Sequence, residues 1–157
     1  VSVDSMFSIP DFQIRERVLN ILLRSRAKAL NNFWIQTRNI DNPIYQEAQK
    51  GNLADFYRQE FIDRKKFNYP PFKILIKITG ENLNKDKLQK DFEGLKQFLM
   101  PEEFNFYSGF TKKIKNKYIM HGIMRLARDK WPDKILVEKL KNVPQQFKVE
   151  VDSQSVI

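Results

Sequence analysis

Four lysines, Lys112, Lys113, Lys115 and Lys117, crowd into the stretch FTKKIKNKYIMHG, interleaved with Phe110, Tyr118 and Met120. Ammonium groups at that density neutralise phosphates with release of counterions, and an aromatic ring beside them can stack on an unpaired base. Arg125, Arg128 and Lys130 follow closely, so residues 109 to 130 hold seven basic side chains against Asp129 alone. That stretch carries +6 of a formal net charge of +9. An excess so local points to a polyanion partner. Composition leaves a second reading open: a solvated hairpin whose lysines deter edge-to-edge pairing.

Other chemistry is poorly supplied. His121 is the single histidine and there is no cysteine, which excludes histidine clusters, thiolate zinc sites, disulfides and cysteine nucleophiles. A lone histidine in mid-strand reads first as a polar contact. The five glycines never cluster into a phosphate loop. No cofactor is expected, and no run of apolar residues suits a membrane span. The absence of cysteine fits a reducing cytosol.

The elements that must position the basic stretch read as follows. VSVDSMF opens extended, a turn at SIPDF leads into a helix over 12 to 30, and FWIQT (33 to 37) has strand character. A helix begins near Ile44 and stops at Gly51 and Asn52; another runs from Leu53 to Phe67 with Asn52 as its N-cap. Pro70 and Pro71 end it, and a chain leaving Pro-Pro is expected to enter a strand directly. That strand places Phe72, Ile74, Ile76 and Ile78 on a buried face and Lys73, Leu75, Lys77 and Thr79 on the other, a half-buried pattern. GENLN turns the chain, and Leu88, Phe92, Leu95 and Leu99 mark a helix. Strands over 104 to 114 and 117 to 126 meet near Asn116; in the second, Tyr118, Met120, Gly122, Met124 and Leu126 share one face. Pro132 suits the first turn of a last helix bearing Leu136, Leu140 and Val143, before a final strand at Phe147 to Val151. The order from residue 71 is β-α-β-β-α-β, expected as an α/β fold with two helices on one face of a mostly antiparallel sheet. Acylphosphatase-like enzymes share that order but need an arginine in a glycine-bearing loop after the first strand, where this chain has GENLNKD.

Several motifs then fall in a familiar sequence. VDSMFSIPDFQIRERVLNIL, FYRQEFIDRKKFNYPPF, KNKYIMH and VEVDSQSV together resemble the primosomal protein N′ (PriA) family of replication-restart DNA helicases, over essentially the whole chain. The resemblance implies three parts: a remnant of helicase lobe 2 over 1 to 51, a connecting helix and Pro-Pro junction over 52 to 70, and a domain with a fold like ribosomal protein S10 over 71 to 157, its boundary at 68 to 71. It implies a degenerate last helicase motif. The family's Gln-Val-Ala-Gly-Arg-Ala-Gly-Arg run corresponds to RSRAKALN, with Lys28 at the first arginine and Asn31 at the second, and Ala27 and Leu30 at the glycines. An asparagine cannot supply guanidinium charge to a phosphate. Ile119 stands where a second strand arginine is usual, and Ser153 where the closing proline is. The first residue, Val1, reads as continuing from an upstream part or as a degenerate homologue.

The expected function is therefore non-catalytic binding of branched or single-stranded DNA at restarting forks, by a monomer in the cytoplasm, associated with the nucleoid. Lys112, Lys113, Lys115, Lys117, Arg125 and Arg128 would hold phosphates and Tyr118 would stack. Lys130 and Lys134 would receive a protein partner, with single-stranded-DNA-binding protein and primosome proteins implied by the resemblance. A protein-interaction module and an RNA-binding S10-like module remain open as alternatives.

Overall fold

The computed structural model describes residues 1–51, 53–109 and 116–156, and the chain divides into two compact units, Val1–Arg64 and Lys65–Ile157. The division lies a few residues before the expected boundary.

In the first unit a 3₁₀ helix, Asp4–Ser8, replaces the expected extended opening. The helices are α1 (Ile14–Lys28), α2 (Pro43–Lys50) and α3 (Leu53–Lys66), the last running past the division. Val18, Leu19 and Leu22 of α1 pack with Ile44, Tyr45 and Ala48 of α2 and with Phe56. The helix stops short of Leu30, which is fully exposed, and Ile21 is on its outer side. α2 begins where Asn42 accepts from the Ile44 amide at 3.2 Å and ends at Gly51, whose φ of 70° suits a residue without Cβ. The proposed cap at Asn52 lies outside the described residues. FWIQT is not a strand. Among the described residues its backbone pairing is limited to Val1, which donates to the Trp34 carbonyl and accepts from the Gln36 amide, both at 2.8 Å. That is one step of a parallel ladder.

The second unit carries β1 (Lys73–Asn82), α4 (Lys85–Leu99), β2 (Phe104–Ser108), β3 (Tyr118–Ala127), a 3₁₀ turn (Arg128–Lys130), α5 (Lys134–Lys141) and β4 (Phe147–Val151). The β-α-β-β-α-β order is present. The strands form an antiparallel sheet in the order β2-β3-β1-β4, so β3 separates β1 from the strand that follows α4. Ile74, Ile76 and Ile78 of β1 face Leu88, Phe92, Leu95 and Leu99 of α4 and Leu136 and Leu140 of α5, as the spacing predicts. Phe92 sits at the centre of an aromatic group, its ring 5.1 Å from Phe147, 5.5 Å from Phe106 and 6.3 Å from Phe104. Gly122 is required there, since a Cβ would lie 2.0 Å from the Phe104 ring.

Four expectations need correction. β1 is buried on both faces: Leu75 is inaccessible and Lys77 is 7% exposed, because a central strand with covering segments on its second side has no solvated face. The Pro-Pro junction does not feed β1 directly. The helix ends at Lys66, Asn68 takes a left-handed φ of 57°, and Tyr69 to Phe72 form a turn around a cis Pro70-Pro71 bond, closed by the Phe72 amide on the Tyr69 carbonyl at 3.0 Å. GENLN is not all turn: β1 runs on to Asn82, with Gly80 inside it under the rings of Phe147 and Phe92. Pro132 precedes α5 rather than entering it, and Asp133 is the cap, accepting from the Leu136 amide at 2.7 Å.

Candidate nucleic-acid interface

β2 and β3 pair from Phe104 opposite Met124 to Ser108 opposite Met120, and the Gly109 amide adds a bond to the Ile119 carbonyl at 2.8 Å. Their connection ends at Asn116, in the left-handed region at φ 66°, which asparagine tolerates better than most residues. Lys112, Lys113, Lys115 and Phe110 lie outside the described residues. Lys117, at the start of β3, pairs with the Glu81 carboxylate at the end of β1, both side chains about half exposed. One ammonium of the hairpin is thus matched by the chain's own carboxylate, although a pair this exposed is weak and yields to a phosphate at modest cost.

The remaining candidates separate. Tyr118 packs against the core beneath α4 and α5 while staying partly exposed, and its place in the same alternation as Met120 accounts for that. Arg125 lies on the opposite face, its guanidinium 5.1 Å from the centre of the Tyr69 ring. Arg128 donates through Nε to the Pro71 carbonyl. Seven residue-to-residue steps of extended chain separate Tyr118 from Arg125, about 23 Å at the rise of a strand. The described members of the predicted DNA set therefore form two groups, Lys117 and Tyr118 at one end of β3 and Arg125 and Arg128 at the other. Lys130 closes the 3₁₀ turn and Lys134 opens α5. There the Asp133 carboxylate already occupies the helix N-terminus, and any acidic partner must approach beside it.

The middle of the second face is polar and largely enclosed. Lys77 Nζ lies 3.5 Å from Glu150, which also takes Lys148 at 3.0 Å. His121 Nδ1 is 3.0 Å from the Thr79 hydroxyl, and its ring is 6.1 Å from that of Tyr107. Burial, and then the Lys77 charge, lower the His121 pKa from its ordinary value, while Glu150 opposes them. The Lys148 hydrogen bond, ahead of the Lys77 charge, holds Glu150 below the usual carboxylate range. After β4 the chain bonds the Leu75 carbonyl through the Ser153 amide at 2.9 Å, and the buried Val156 presents its carbonyl to the Tyr107 hydroxyl on β2. Residues 152 to 156 thus run from one edge strand to the other across the face away from the helices.

Sequence reasoning missed Tyr69 and Pro71 as the partners of Arg125 and Arg128, and Lys73, Glu103 and Asn105 as neighbours of Arg125. The alternation in β1 did signal Lys73, which shares its parity with Lys77. In the first unit the motif residues act as structural ties. Asp4 accepts from Thr37 Oγ1 at 2.8 Å, the Arg38 amide at 2.7 Å and the Tyr45 hydroxyl. Those bonds, the Tyr45 one foremost, lower its pKa. Asp11 binds Arg17 at 3.3 Å, and Glu16 binds Arg64 at 2.6 Å. Glu60, 5% exposed, is 3.1 Å from Arg15, yet burial still raises its pKa. Among the described residues no group of carboxylates and imidazole could hold a metal ion, and no described helix is long and apolar enough to cross a membrane.

No family model matches the chain. Replication restart protein PriA of Borreliella burgdorferi is 32% identical to it over 98% of this chain and 24% of that protein. The chain is homologous to PriA. The PriA proteins of Thermotoga maritima, 28% identical over 80% of this chain and 18% of the relative, and of Treponema pallidum, 32% identical over 54% and 14%, agree. The chain spans about a quarter or less of the length of these PriA relatives.

Proposed function

We propose that this chain is a non-catalytic DNA-binding and primosome-interaction part of a PriA-like protein, binding branched or single-stranded DNA in replication restart. The observation that carries this reading is similarity to replication restart protein PriA along 98% of the chain, in a sequence whose excess charge gathers at 109 to 130. Residues 71 to 157 suit an S10-like domain: the sheet order β2-β3-β1-β4 with α4 and α5 on one side is the split βαβ pattern. The parallel bonding of Val1 to residues 34 and 36 suits the remnant of an α/β helicase lobe. Lys28, at the end of α1, and Asn31 beyond it offer no arginine pair for ATP phosphates, which favours a role without hydrolysis. Single-stranded-DNA-binding protein or primosome proteins would meet Lys130 and Lys134, and the setting would be the cytoplasmic nucleoid.

The test is a salt titration of binding to forked and single-stranded DNA, with structured RNA as competitor. Changing Lys112, Lys113, Lys115 and Lys117 together to alanine is expected to weaken binding and flatten the slope of log K against log salt by about 0.7 for each single-strand phosphate no longer neutralised. Unchanged affinity and slope would remove the hairpin from the interface. Preference for the RNA would favour the S10-like RNA-binding alternative.

A further inference from the structure

The end of the second face that holds Arg125 is concave. Phe67, Asn68, Lys73, Glu103, Asn105, Ile123 and Arg125 line a cleft of about 260 Å³, just under the size of a drug-sized ligand site and suited to one nucleotide unit rather than a run of strand. We propose that this cleft binds a single unstacked nucleotide and favours bases that carry an amino group, cytosine, guanine and adenine above thymine. This rests on the DNA-binding reading above and gives it a base-reading subsite away from the hairpin.

Three features select that ligand. Lys73 and Arg125 come from neighbouring strands, with Lys73 opposite Ala127 and Arg125 opposite Leu75. Neither is ion-paired with a carboxylate among the described residues. Two cations on diagonal positions, roughly 7–8 Å apart at Cα, suit a bridging phosphate. Across the cleft, Asn105 Nδ2 donates to Glu103 Oε1 at 3.0 Å. That bond leaves Glu103 Oε2 and the Asn105 carbonyl as acceptors. Acceptors of this kind take hydrogen bonds from cytosine N4 or the guanine amino group, and thymine has no amino group to give. At the rim the Phe67 ring is 55% exposed, with Lys66 Nζ 5.4 Å from its centre. An exposed ring beside a cation is a stacking platform for a base.

The experiment measures the affinity of the whole chain for a thymine dodecamer and for a cytosine dodecamer, at neutral pH and fixed salt. The cytosine strand is expected to bind at least about fivefold more tightly, the lower end of a base-edge hydrogen-bond pair. Glu103→Ala, an exposed substitution, should abolish the difference between the two strands. Lys73→Ala should weaken both strands equally. Equal binding of the two strands by the unaltered chain would overturn the subsite and leave the DNA-binding reading standing. Absence of binding to either strand would overturn the subsite, and absence of binding to forked DNA as well would overturn both. A cytosine preference that survives Glu103→Ala would place the discrimination elsewhere and also overturn the assignment.

Discussion

Toward α4 and α5, β1 presents Ile74, Ile76, Ile78 and Gly80, and β3 presents Tyr118 through Leu126 by alternate residues. Toward the other side the same two strands present Lys73, Lys77, Thr79, His121 and Arg125. The first face is closed by helices that follow the strands in sequence. The second is closed in its middle by residues 152 to 156, and it opens at one end into a cleft. One face holds the unit together by apolar packing; the other places charge and hydrogen bonds where a ligand can meet them. The cost of enclosing polar groups there is offset by partners, Glu150 for Lys77 and Thr79 for His121.

The comparison breaks most directly at Phe92. Its ring is inaccessible and touches aromatic neighbours from β2 and β4. Phe92→Ala is expected to destabilise the second unit by about 3–5 kcal/mol through lost transfer energy and the cavity left behind. Urea unfolding followed by Trp131 emission measures it, since Trp131 packs against this core whereas Trp34 is 77% exposed and reports little. A loss below about 0.5 kcal/mol, the level of an ordinary surface change, would mean that the helix-side face is not what stabilises the unit.

The helix-side face was readable because its rule is local. Spacing by two in β1 and β3, and by three and four in α4, names nearly every buried residue without knowledge of the fold. The same parity put Tyr118 with Met120, so its packing into the core was legible even though its ring beside lysines suggested stacking. The second face was not readable, because what covers it is remote in sequence. Leu75 meets Ser153, Tyr107 meets Val156, and Arg125 meets Tyr69. No periodicity in β1 announces those segments, so the strand read as half solvated. The pairing of Lys117 with Glu81 depends likewise on the register of β1 against β3, which places Asn82 opposite Tyr118. FWIQT misled for a related reason: its residues favour a strand, but among the described residues its backbone pairs with Val1 alone.

A smaller effect tests the segment that crosses the second face. Val156 is 7% exposed although it lies beyond the last strand. Val156→Ala removes two methyl groups from that burial, worth about 1.5 kcal/mol, and should loosen residues 152 to 156 before the sheet. Hydrogen exchange separates the two. The Ser153 amide, bonded to the Leu75 carbonyl, should exchange faster, while β1 amides paired to β3 keep their protection. Equal acceleration of both would make the segment part of the sheet's cooperative unit rather than a cover laid on it.

The smallest expected effect is a pH dependence confined to the second face. His121 is flanked by Thr79 and the Lys77 ammonium on β1, Glu150 and Lys148 on β4, and the Tyr107 ring on β2. Burial and Lys77 lower its folded pKa below the unfolded value of 6.5. The folded state therefore binds fewer protons than the unfolded chain in that range. The contribution of a neutral His121 is complete above pH 6.5 and is lost as the pH falls through the lowered folded value. Asp4 and Glu150, both held below their ordinary values, give up their contributions only further into acid. Thermal unfolding followed by Trp131 emission should thus show a decline in midpoint that begins just below pH 6.5, before Asp4 and Glu150 titrate. His121→Gln keeps a polar group beside Thr79 and removes the titration, so its midpoint should stay flat over that interval. If the decline persists in His121→Gln, the polar face has another titrating group; if the unaltered chain shows none, the imidazole is more accessible to water than its place beneath Tyr107 and beside Lys77 implies.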